Sequence, residues 1–128
     1  MREKLVELEL RIAGLRAEQM VLVNELERSQ APQTDGSRSM VEYVAAHADI
    51  SHALAGELVL AARRIGHHRH ISHRIAAESI SFDRAIAALR LAESGATRSD
   101  VDASYVLVFD GVRRDTTTGT RLRGPPNG

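Results

Sequence analysis

The chain has no cysteine and no tryptophan. Disulfide frameworks and thiolate metal sites are therefore excluded, and a reducing compartment such as the cytoplasm is the expected setting. Two Tyr and two Phe complete the aromatics, too few for a platform on which single-stranded bases stack. Neither charge sign predominates, with 17 Lys and Arg against 17 Asp and Glu, so no overall field steers the chain to nucleic acid or a membrane. Lys4 is the single lysine, an arginine bias that GC-rich coding produces as readily as phosphate recognition does. No apolar run approaches the roughly 18 residues of a membrane span. Met1-Arg2-Glu3-Lys4 passes directly into an amphipathic pattern with interleaved acids, unlike a signal or transit peptide. Gly-x-Gly-x-x-Gly and the P-loop pattern do not occur, and no catalytic carboxylate pair or Ser-His-Asp order can be assembled.

What the sequence does contain is helical periodicity. Leu5, Leu8, Ile12, Leu15, Gln19, Leu22 and Leu26 alternate steps of three and four, the seam of a packed helix. Glu, Arg and Gln fill most remaining positions and are good helix formers. The helix is expected from about Arg2 to Ser29, ending before Pro32, followed by a polar linker at Gln33-Thr34-Asp35-Gly36. The leucine seam is expected to be sequestered against other helices. A parallel dimer would set Arg11 against Arg16 of its partner, so packing within the chain, or an antiparallel pair, is favoured.

Ser39 with Glu42 three residues on forms a capping box for a second helix, and Ser51 caps a third that carries Ala55, Leu58, Val59 and Ala62 inward to a stop near Gly66. A short helix over Ile71 to Ala77 follows. A further one is capped by Ser81, with Ala85, Ile86, Leu89 and Ala92 facing a core and Gly95 ending it. Tyr105-Val106-Leu107-Val108-Phe109 before Asp110-Gly111 is β-rich, yet a lone hairpin is marginal. The sequence thus predicts an all-α protein. A long heptad-patterned helix (residues 1–31) packs on a small helical bundle with a helix-turn-helix-like unit (37–95), and an irregular or disordered tail (96–128) follows.

With Asp49 at the turn, Val44, Ala45, Ala48, Ile50, Ala55 and Leu58 fall at the internal positions of a helix-turn-helix, where small or apolar residues are needed. The next helix would present Ser51 and His52 outward. An ordinary αα-hairpin meets the same steric demands, and Glu57 on that helix would repel phosphate. Between Glu57 and Glu78 there is no acidic residue, while Arg63, Arg64, Arg69 and Arg74 accumulate beside His67, His68, His70 and His73. Such a patch can hold phosphates, with Arg giving bidentate geometry. The alternative is a solvated segment balanced by acids elsewhere. The nucleic-acid contact candidates are therefore Ser51, His52, Arg63, Arg64, Arg69 and Arg74. His67, His70 and His73 share a spacing of three, but neighbouring arginines would repel a cation and no carboxylate completes a shell, so no metal or other cofactor is assigned.

Taken in order, several segments resemble a known family. They are the heptad-rich first helix, Asp35-Gly36, Ser39-Met40-x-x-Tyr43-Val44-Ala45, Ile50-Ser51, Ala61-Ala62-Arg63 and Ile80-Ser81-x-Asp83-x-Ala85. Together they resemble the domain of unknown function, common in mycobacteria and other actinobacteria, that precedes HNH endonuclease modules in repeat-element proteins. Tyr43 stands where that family usually has Trp, and Glu78-Ser79 replaces its usual Gly before the Ile-Ser pair. The resemblance spans residues 1 to 95 and implies a truncated relative in which the HNH module is missing, so no catalytic residue carries over. It implies at most a DNA-binding role. A helical protein-interaction or dimerisation module, working through the first helix on itself or another helical protein, is the alternative from a different class. A decayed reading frame without function is the third.

Overall fold

A computed structural model describes residues 1–105, and among these the regular structure is entirely helical. Two compact units are present, residues 1–89 and residues from 90 onward. The first helix, α1, runs Arg2–Arg28, a rod about 40 Å long at 1.5 Å per residue. It stops where Gln30 takes a left-handed conformation (φ 59°). Pro32 does not open a linker. It sits in the first turn of a short helix, α2 (Ala31–Asp35), where its missing N–H costs nothing because first-turn N–H groups lack helical partners.

Of α1, Ala13, Met20 and Val23 are buried and Val6, Leu10, Ala17, Asn24 and Glu27 half-buried. This stripe packs on the helices α4 (His52–Arg64) and α5 (Arg69–Ala76). It is not the seam that the large residues suggested. Leu5, Leu8, Ile12, Leu15 and Leu22 are exposed and Leu26 is half-buried. At 100° per residue the two stripes lie roughly 140° apart around the helix. The physical reason is residue size. Ala13, Gly14 and Ala17 let a neighbouring segment approach the α1 backbone closely, as the Glu78 side chain does over Gly14. A Cβ there would meet Glu78 Oε2 at 2.6 Å.

Helix α3 (Met40–Ala48) starts at Ser39, whose hydroxyl accepts the Glu42 N–H at 3.0 Å. The Glu42 carboxylate reaches back to accept the Arg38 N–H at 2.6 Å, one residue beyond the N-cap N–H of the standard box. Asp49, placed at the turn as expected, ends α3 in the left-handed region at φ 58°, and Ser51 caps α4 by accepting the Leu54 N–H. Helices α3 and α4 pack together. Val44, Ala45, Ala55 and Leu58 are buried as anticipated, Ile50 is half-buried, and Ala48 is exposed.

α4 stops at Arg64 with Ile65 as its C-cap, near Gly66 as expected, but not through a left-handed glycine. Gly66 lies inside a 3-10 turn (Ile65–His67) without positive φ, and His68 (φ −134°, ψ 75°) separates that turn from α5. α5 closes with two bonds, Ser79 N–H to Arg74 carbonyl at 2.9 Å and Glu78 N–H to Ile75 carbonyl at 3.1 Å. Glu78 takes the left-handed position between them (φ 60°) where glycine is usual. Leu58, Val59, Ile71 and Ile75 are fully buried in the first unit.

Helix α6 (Phe82–Glu93) begins with Ser81 accepting the Arg84 N–H at 3.1 Å, and Gly95 follows its end at φ 94°. Ala85, Ile86 and Leu89 are buried and Ala92 half-buried. The irregular tail expected from residue 96 begins instead with helix: residues 98–105 are helical. Thr97 and Asp100 cap one another, the Asp100 N–H reaching Thr97 Oγ1 at 3.1 Å and the Thr97 N–H reaching Asp100 Oδ2 at 3.4 Å. Tyr105, assigned to a β-rich run, is helical and buried. The rest of that run, Asp110-Gly111 and the remaining tail lie outside the described residues.

Candidate functional site

The six residues marked for nucleic-acid contact do not form one cluster. Ser51 and His52 are exposed at the start of α4, whereas Arg63 and Arg64 are exposed at its far end, about 17 Å along the axis. Ser51 Oγ is already engaged as the helix cap. Arg63 makes a fork with Glu27 of α1, Nε to Oε1 at 3.0 Å and Nη2 to Oε2 at 2.6 Å. That bond to Arg63 holds the Glu27 carboxyl below its ordinary pKa and raises the guanidinium. A phosphate on Arg63 would thus have to displace an internal carboxylate. Arg69 is exposed at the start of α5 and Arg74 half-buried near its end.

Of the histidines, His67 belongs to the 3-10 turn while His70 and His73 sit on α5 beyond the His68 break, so the three do not share one helix. Among the described residues no three His, Asp or Glu side chains gather in a metal-holding arrangement. A cleft of about 340 Å³ opens between α1, the end of α4 and α5, with Met20, Val21, Asn24, Arg63, His67 and Ile75 in its wall.

One polar grouping escaped sequence reasoning. His47 Nε2 lies 3.0 Å from Asp35 Oδ2, the Ser37 hydroxyl donates to the same oxygen at 3.0 Å, and the Tyr43 ring sits 4.4 Å from the His47 ring. The bond from His47, then that from Ser37, lowers the Asp35 pKa. The Ser37 hydroxyl is bonded to the carboxylate rather than poised on the imidazole, so the set ties α2 to α3 and holds no activated nucleophile. A twelve-residue separation left no periodic signal for it.

The largest unassigned feature is the outward face of α1. Leu5, Leu15 and Leu22 are 68, 60 and 58% exposed, with Leu8 and Ile12 between them. Lys4, Arg11, Glu18 and Glu25 recur every seventh residue along one flank, all exposed. Lys4 lies 3.6 Å from Glu7 and Glu25 2.9 Å from Arg28, whereas Arg11 and Glu18 make no ion pair among the described residues. On the other flank Glu9 is exposed, and Arg16 rests 5.9 Å over the Phe82 ring while donating to Gln19 at 2.9 Å. No helix among the described residues is long and apolar enough to cross a membrane. No protein-family model, curated protein or solved structure matches the chain.

Proposed function

We propose that this protein is a non-catalytic helical interaction module, in which α1 docks to the bundle by its small-residue stripe and offers its leucine face to another helix. The observation that carries this is the exposure of that face over three heptads. Scattered exposed leucines are ordinary, but a contiguous stripe at coiled-coil spacing is the surface a partner helix covers. The test is binding of a synthetic helical peptide with leucine at its seam positions and uncharged flanks. Binding is expected for the native chain and lost in Leu15→Asp, with helicity and Tm of the monomer unchanged. No peptide binding, or a Leu15→Asp variant that melts far lower, would overturn the proposal.

A second reading has its own support in the left-handed turn at Asp49 between two packed helices, with His52 exposed at the start of the following one. It is the DNA contact implied by the resemblance to HNH-associated domains, with Arg64, Arg69 and Arg74 meeting phosphates. Duplex affinity would then be weak and would fall steeply with salt as condensed counterions are released. Binding undetectable at low salt and pH 6 would remove it.

A further inference from the structure

Resting on the reading of α1 as an interaction helix, we propose that the helix covering its leucine face is α1 of a second copy, running antiparallel in one defined register. Leu5, Ile12 and the half-buried Gln19 and Leu26 alternate with the exposed Leu8, Leu15 and Leu22 along the stripe. In an antiparallel pair each residue of the first set lies across from one of the second. One register sets Leu5 against Leu22, Ile12 against Leu15 and Gln19 against Leu8, and Leu26 then reaches Met1. Two-fold symmetry repeats each layer, so every large residue of the stripe is covered.

The flanks decide the partner. In that same register the outer flank places Lys4 opposite Glu25 and Arg11 opposite Glu18. The inner flank places Glu9 opposite Arg16. Each of these is an attraction, and the two-fold axis makes six. Basic residues occupy the first half of the outer flank and acidic ones the second, a distribution that complements its own reverse. A parallel pair would instead oppose Arg11 to Arg16. Among the described residues Arg11 and Glu18 have no ion pair to give up, while Lys4 and Glu25 exchange exposed pairs of small worth. The two stripes of α1 being roughly 140° apart, each bundle stays on the outside of the pair. Shifting by one heptad in one direction sets Lys4 against Glu18 but opposes Arg11 to itself and strands Glu25, Leu22 and Leu26, and shifting in the other opposes Glu18 to itself and strands Lys4 and Leu5.

The deciding experiment is equilibrium sedimentation of the full chain at low salt. Native protein should dimerise. Arg11→Glu should weaken the dimer by on the order of tenfold, since two attractions become repulsions. Arg11→Glu with Glu18→Arg should restore it, because both pairs re-form with their signs exchanged. In a parallel dimer Arg11→Glu would strengthen association, by facing Arg16, and that outcome overturns the proposal. A native chain that remains monomeric at about 100 μM also overturns it. In that case the peptide experiment separates the two failures: a monomer that binds the uncharged helix keeps the interaction module and loses the second copy, and one that does not loses both. Circular dichroism of each variant verifies the fold, since neither site touches the core.

Discussion

At the scale of single residues, Glu27 and Arg63 show how little a surface contact need contribute to be informative. The pair joins α1 to α4 with good fork geometry, yet both side chains are more than a third exposed, so its worth is below about 1 kcal/mol after solvent screening. Because the folded-state pKa of Glu27 is depressed, that contribution is present above the unfolded carboxyl value and disappears as pH falls through the folded one. Carboxyl titration by NMR should find Glu27 below the ordinary range, and Arg63→Ala should return it there. A Glu27 that titrates normally in the native protein would show the fork to be open in solution. None of this pairing was visible in the sequence. Glu27 and Arg63 are 36 positions apart, and Arg63 was read as one of four like charges rather than as half of a tether. Asp49 was legible, because a left-handed turn restricts residue type. Glu78 was not, since glutamate is not among the glycine, asparagine and aspartate that ordinarily announce that conformation.

At the scale of elements, helix starts were legible wherever a hydroxyl precedes an apolar run. Ser39, Ser51 and Ser81 each accept the expected N–H. The same rule, applied to Thr97-Arg98-Ser99-Asp100 with its acid three positions after the hydroxyl, points to the helix at 98–105. Changing Ser51 to Ala should cost about 1 kcal/mol in chemical denaturation, and Ser39 to Ala a similar amount, as uncapped N–H groups lose their acceptor. Which stripe of α1 faces inward was not legible. Periodicity ranks stripes by hydrophobic bulk, whereas close helix packing selects by smallness, and Ala13-Gly14-x-x-Ala17 is nearly silent on a hydrophobicity scale. Ala13 is fully buried. Ala13→Leu should therefore destabilise the chain by about 1–3 kcal/mol through overpacking, while Leu15→Ala, on the outer face, should barely register. Equal losses from both would mean that the outer stripe is also packed within the monomer.

At the scale of the whole molecule, the proposed absence of catalysis has a direct check. Purified protein should not nick supercoiled DNA with Mg²⁺, Mn²⁺ or Zn²⁺ present, because a metal-activated water needs a ligand set and a base in one place. Reproducible nicking that disappears in His68→Ala would refute this. All-α class, the long first helix and the bundle following it came through from the pattern of apolar residues and caps, which are local. Partners between distant helices did not, because a sequence states what each face could bury without stating against what.

The route by which α1 reaches its place carries a kinetic consequence. Helices α3 and α4 are neighbours in sequence and pack on each other, whereas the α1 contacts to α4 and α5 close loops of several dozen residues. The α3–α4 hairpin should accordingly form in the folding nucleus and α1 should dock afterwards. Ala13→Gly should then leave the refolding rate nearly unchanged and speed unfolding, while Leu58→Ala should slow refolding. Stopped-flow chevrons measure both, and a refolding arm that moves with Ala13 would place α1 docking in the rate-limiting step. Until that docking both apolar stripes of α1 are open to solvent at once, which makes the interval before it the moment when crowding with other nascent chains is most hazardous.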